Sequence, residues 1–115
     1  MLTRLVLAVA LVASSVSGAW ADPLNVEKFL RDYGKNELFD FPYLLGITQG
    51  LEVANDELLE RKQPRMFCIP SRLTFTGEQS LGVLKRFVER YPPMEKALVP
   101  VAMLEALKEA FPCGK

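Results

Sequence analysis

Apolar residues recur at spacings of three and four over most of the chain, which is the period of helices packed on one another. Val26, Phe29, Leu30 and Tyr33 predict a first helix, with Asn25 as N-cap and Gly34 closing it in a left-handed conformation. Asn36 to Asp40 reads as a connection. Phe41-Pro42 then opens a second helix with the proline in its first turn. The second helix has its inner face at Leu44, Ile47, Leu51, Ala54 and Leu58. It ends through Glu57, Glu60, Arg61 and Lys62 at Gln63-Pro64. Arg65 to Leu73 predicts an irregular connection, and Thr74-Phe75-Thr76 leads into a third helix. Thr76-Gly77-Glu78-Gln79 fits a capping box. Leu81, Leu84, Val88 and Tyr91 form the face of this helix, widened by Val83 and Phe87. Tyr91-Pro92-Pro93 breaks it, and Met94 to Val99 is a short turn or loop. Pro100 suits the first turn of a fourth helix with Val101, Leu104, Leu107 and Phe111 inside and Glu105, Lys108 and Glu109 in water. The pattern predicts an all-α domain, a small bundle of about four helices.

Tyr43, Gly46, Gly50 and Val53 form a second stripe on the second helix. A glycine costs a helix about 1 kcal/mol relative to alanine, so two of them one turn apart suggest a notch that admits another backbone. Gly46 and Gly50 are therefore expected to line an internal packing groove. The same notch also suits a homodimer contact.

The first residues depart from this period. Arg4 precedes an unbroken apolar run from Leu5 to Ala13, then small polar residues, then Ala19-Trp20-Ala21. These are the three parts of a secretory signal, and the run is shorter than the roughly 20 residues of a membrane crossing. Residues 1–21 are expected to be a cleaved leader of the bacterial export type. Residues 22–115 form the domain, placed in the periplasm with no membrane contact after cleavage.

The full chain of 115 residues balances 14 basic against 14 acidic side chains. Losing Arg4 leaves one more acid than base, so nothing favours nucleic acid or an anionic membrane. The only two cysteines, Cys68 and Cys113, are most simply one disulfide in an exported protein. A bond closing a loop of about 45 residues contributes on the order of 4 kcal/mol through chain entropy. A domain this small gains from such a staple.

Catalytic chemistry is nearly absent. The chain holds no histidine, which removes Ser-His and Cys-His pairs and histidine zinc sites. Two isolated cysteines make neither a zinc site nor a redox C-x-x-C, and no phosphate loop follows a strand. The remaining option is paired carboxylates. Asp56, Glu57 and Glu60 sit beside Arg61 and Lys62, and Glu105 and Glu109 lie one turn apart on an amphipathic helix. Both sets read as solvated faces, so the chain is read as a non-enzyme with no metal and no cofactor. What remains is contact surface. Tyr91, Pro92, Pro93, Met94, Glu95 and Lys96 make an apolar, charge-tipped linker suited to a protein partner, because aromatic and methionine side chains are favoured at interfaces.

From Tyr43 onward the chain resembles the Tai/Rap family of periplasmic immunity proteins. The residues that carry the likeness are Tyr43-Leu44-Leu45-Gly46 with Gly50 four places on, Phe67-Cys68-Ile69-Pro70, Gln79, Arg90-Tyr91-Pro92, and Ala106-Leu107 through Ala110-Phe111-Pro112-Cys113. Many members carry further cysteines before the Tyr-x-x-Gly helix, where this chain has Leu38, Phe39, Asp40 and Phe41. The resemblance implies a helical, disulfide-bonded protein, often dimeric, that binds a peptidoglycan amidase toxin delivered by type VI secretion and occludes its active-site cleft. Two other readings fit the same composition: an acid-stress chaperone of the HdeA-like kind, and an accessory subunit of an envelope complex.

Overall fold

The computed structural model describes residues 24–73 and 75–114. The expected leader at 1–21, the lead-in at Asp22-Pro23 and Thr74 lie outside the described residues. Four α-helices follow in order: α1 (Val26–Asp32), α2 (Glu37–Glu60), α3 (Gly77–Arg90) and α4 (Val99–Ala110). A 3-10 helix, Pro92–Lys96, joins α3 to α4. The expected all-α bundle is present, stapled by one disulfide between Cys68 and Cys113. Among the described residues the sole β pairing is an isolated antiparallel bridge between Asn25 and Leu98. It is held by Val26 N–H to Ala97 O at 3.0 Å and Val99 N–H to Leu24 O at 3.1 Å.

α1 forms as its cap predicts, with the Asn25 side chain accepting from Lys28 N–H at 2.8 Å. Gly34, however, has no positive φ. A Cβ there would lie 2.5 Å from the Leu30 carbonyl oxygen, so close approach, not left-handed backbone, requires the glycine.

α2 begins at Glu37, five residues before Pro42, so the proline lies inside the helix and not in its first turn. Its inner face also differs from the apolar stripe. Leu44 is buried and Ile47 and Leu51 pack against the core, but Ala54 is exposed while Thr48 and Asn55 are buried. The face therefore carries two polar residues that an apolar count passes over.

α3 opens on the expected capping box: Thr76 Oγ1 accepts from Gln79 N–H at 3.1 Å and Gln79 Oε1 from Thr76 N–H at 3.0 Å. Leu81, Val83, Leu84 and Val88 face inward as expected, while Tyr91 stays exposed. The glycine that permits close packing is Gly77, whose Cβ would fall 2.4 Å from the Phe41 carbonyl oxygen.

α4 is rotated relative to expectation. Val99, Ala102, Met103, Ala106 and Leu107 are buried, whereas Val101 is half exposed. Small alanines on the inner face let α4 sit close to its neighbours, and a search for large apolar residues overlooks them. The core joins these residues to Val26, Phe29, Leu44, Phe67 and the inner face of α3. At about 25 cal/mol per Å² of apolar area removed from water, that cluster supplies the main folding drive.

Candidate functional site

The linker expected to meet a partner is the 3-10 helix with its approach. α3 stops at Tyr91, whose N–H still donates to Phe87 O at 2.9 Å. Pro92 and Pro93 fall in the first turn of the 3-10 helix, where missing N–H groups cost nothing. Met94 N–H returns to Tyr91 O at 2.9 Å, and Ala97 N–H to Met94 O at 3.1 Å. The linker is thus a short regular element, and the alternative of an open loop does not hold.

Tyr91, Pro92, Pro93, Glu95 and Lys96 are exposed and Met94 is half-buried, packed against the core. The Tyr91 ring tilts on Phe87 at 5.2 Å between centroids. Together Phe87, Tyr91, Pro93 and Met94 face Glu105, Lys108 and Glu109 of α4 across a shallow groove of about 580 Å³. Its α4 side is charged, with one ion pair within α4 and one to α3. Lys108 lies 3.3 Å from Glu105, and Arg90 meets Glu109 Oε1. The result is an apolar shelf with a charged rim, the anatomy of a protein-binding patch.

Lys96 is held from beneath by an ion pair with Glu27 of α1. The hydrogen bond and charge of Lys96 lower the Glu27 carboxyl pKa, and those of Glu27 raise that of the Lys96 ammonium. The far end of the linker meets α1 through the Val26 N–H to Ala97 O bond, with the exposed Glu27–Lys96 pair beside it.

Gly46 and Gly50 do not form the expected internal groove. Both face outward, and a Cβ on either would meet nothing within 4 Å. Tyr43 and Val53, the ends of their stripe, are also exposed. No described residue fills the notch. The disulfide does join its expected residues, with Cα atoms 4.9 Å apart, and the Cys68 N–H donates to Phe111 O at 2.8 Å. Cys68 and Cys113 thus belong to the scaffold that fixes α4.

Of the acidic residues weighed for catalysis, Asp56, Glu57 and Glu60 are exposed, and Glu105 and Glu109 are half-buried along the groove. Glu57 pairs with Arg61 at 2.8 Å. Glu52 has its carboxyl pKa raised by burial and then by the charge of Asp56. Among the described residues no group of three or more His, Cys, Asp or Glu is placed to hold a metal, and no helix is long and apolar enough to cross a membrane.

Two residues with polar side chains matter more than the sequence suggested. Asn55 bonds the segment leading to Cys68, and Asp40 is buried at the start of α2. The only hint for Asp40 was an acid set between Phe39 and Phe41. The chain matches no family model, no curated protein and no solved structure.

Proposed function

We propose that the protein is a periplasmic immunity-type inhibitor, which binds a secreted peptidoglycan amidase toxin and sterically blocks its active-site cleft. The sequence resemblance from Tyr43 to Cys113 supports this reading. The observation that carries it is the shelf of Tyr91, Pro92, Pro93 and Met94. It is an apolar, aromatic edge presented on a short rigid element, and it is braced at both ends.

A wedge of this kind loses little conformational freedom on docking, so more of its contact energy appears as affinity. Occlusion also asks nothing of the inhibitor's own chemistry, which suits a chain without histidine. The shelf sits at the outer end of the α3–α4 pair, and the disulfide ties the far end of α4. Contact with the toxin would therefore leave the staple untouched.

The test is to mix the purified protein with the amidase encoded beside its gene and follow peptidoglycan hydrolysis. Stoichiometric inhibition is expected. Tyr91→Ala and Met94→Ala should each weaken it, with Tyr91 costing about 2 kcal/mol or more as a central aromatic anchor. Full amidase activity at excess protein would refute the proposal.

A further inference from the structure

A surface helix ordinarily turns charged and polar residues to water. The outward face of α2 does not. Its exposed residues from Leu38 to Ala54 include no charged side chain. Phe39 and Val53 are 67% and 69% exposed, and Leu38 and Tyr43 are exposed as well. Single exposed apolar residues are ordinary, but an aligned set marks an interaction surface.

Phe39, Tyr43, Gly46, Gly50 and Val53 follow one another at alternating steps of four and three, the repeat of one helix packed along another. They form a seam about 21 Å long at the helical rise per residue. At its middle Gly46 and Gly50 leave the backbone bare, and a Cβ on either would meet nothing within 4 Å. The two glycines thus serve no contact with any described residue, although each weakens the helix that holds it.

The order of the seam points to its occupant. It is mirrored about Thr48, with Gly46 and Gly50 two residues to either side and Tyr43 and Val53 five to either side. A second copy turned end over end about a two-fold axis brings Gly46 opposite Gly50 and Tyr43 opposite Val53, twice over. A foreign helix would need no such mirror order. Charge agrees with the antiparallel direction. Two copies running the same way would set Glu57 against Glu57 and Glu60 against Glu60. Running opposite ways, Glu60, twelve residues past the centre, comes level with Lys35, thirteen before it on the other copy. Both are exposed, and neither is in an ion pair among the described residues.

We propose that the outward face of α2 is the interface of a homodimer, in which two copies cross antiparallel at Gly46 and Gly50 and Tyr43 packs on Val53 of the other copy. The bare glycines let the helix axes approach to the near end of the usual range of about 8–10 Å. The tyrosine rings and valine methyls close the seam on both sides of the crossing, and the Lys35–Glu60 pairs fix its register at the ends. The groove beside the 3-10 helix takes no residue from α2, so the dimer carries two shelves. The assignment goes beyond the inhibitor reading and does not depend on it.

Sedimentation equilibrium of the purified protein tests the proposal. A seam this short lies near or below the roughly 1,200 Å² at the small end of standard interfaces. A monomer–dimer equilibrium with a dissociation constant of about 1–100 μM is therefore expected. Gly50→Leu fills the notch and Val53→Glu charges the seam, so each should weaken the dimer about tenfold or more. Both positions face water in the single chain, so the helical circular dichroism should be unchanged. Spin labels on Glu57→Cys should lie about 27 Å or more apart across an antiparallel pair. A monomer at every concentration up to about 1 mM overturns the proposal and leaves the face to a different partner. Dimerisation unchanged in Val53→Glu overturns it even if Gly50→Leu fails to fold. Labels close together would show parallel pairing and overturn it too. No toxin is present in these measurements, so their failure leaves the inhibitor proposal untouched.

Discussion

Asn55 sits on the buried face of α2 and spends both ends of its amide on the chain before the disulfide. Its Nδ2 donates to the Phe67 carbonyl at 2.5 Å, and its Oδ1 accepts from the Met66 N–H at 2.7 Å. An irregular segment has no ladder to satisfy its own backbone, so one amide side chain does the work of a strand partner. Asn55→Ala should destabilise the protein by about 2–4 kcal/mol, since it strands two backbone groups at once; urea unfolding measures it. A loss below about 0.5 kcal/mol would mean that water replaces the amide. Thr48 and Ser80 make a second polar contact, their hydroxyls 3.0 Å apart between α2 and α3. Each hydroxyl also faces a carbonyl, Leu44 O for Thr48 and Thr76 O for Ser80. With two protons for three contacts, one is always unfilled. None of this was legible in the sequence. Periodicity marks which face is apolar, and a polar residue buried on that face looks like an interruption of it.

At the scale of elements, the helix ends show what the residue pattern conveys and what it hides. The capping box at Thr76 was readable because its chemistry is local, two side chains reaching three residues. The start of α2 was not. A proline usually belongs to a first turn, yet Pro42 lies one and a half turns in. It lacks the N–H that would meet the Leu38 carbonyl. Leu38 and Pro42 are both exposed, so the missing bond falls on the solvent side of the helix, which continues to Glu60. At the other end, Gln63 N–H donates to Leu58 O at 2.8 Å and Lys62 N–H to Leu59 O at 3.0 Å. This is the Schellman arrangement, which places Lys62 in the left-handed region at φ 57°. Glycine is preferred there because a Cβ is strained. Lys62→Gly should therefore stabilise the fold by about 1 kcal/mol, read as a rise in the urea midpoint at unchanged slope. A fall would show that the lysine side chain makes a contact that outweighs the strain. The rotation of α4 has a comparable origin. Alanines carry little weight in a hydrophobic pattern, yet Ala102 and Ala106 decide which side faces the core.

For the molecule as a whole, the helical class and the covalent bond were both readable, because each follows from few and strong signals: a sustained three-four period, and two cysteines in a chain that begins like an exported one. The candidate site was less so. The linker could be named from its aromatic and proline residues, but the groove beside it also takes Glu105, Lys108 and Glu109 from α4, and no single stretch displays it. Replacing Cys68 and Cys113 with serine should cost about 4 kcal/mol by releasing a loop of 45 residues. That is a large share of the 5–15 kcal/mol typical of a domain. Thermal or urea unfolding of the double variant checks it, and a change under about 1 kcal/mol would mean that the unfolded chain is already compact without the bond.

The same bond gives the polypeptide the topology of a ring with a tail. α3, the 3-10 helix and α4 all lie within the ring, while α1 and α2 lie on the tail that precedes it. A protease that cuts once anywhere between Cys68 and Cys113 opens the ring but detaches nothing. A cut between the end of α2 and Cys68 severs both tail helices from the shelf, leaving packing and hydrogen bonds such as Val26 N–H to Ala97 O to hold the halves together. The shelf is thus insured against a nick on its own side of the molecule, and the α1–α2 tail is not. A single nick can therefore free the tail helices but not the shelf.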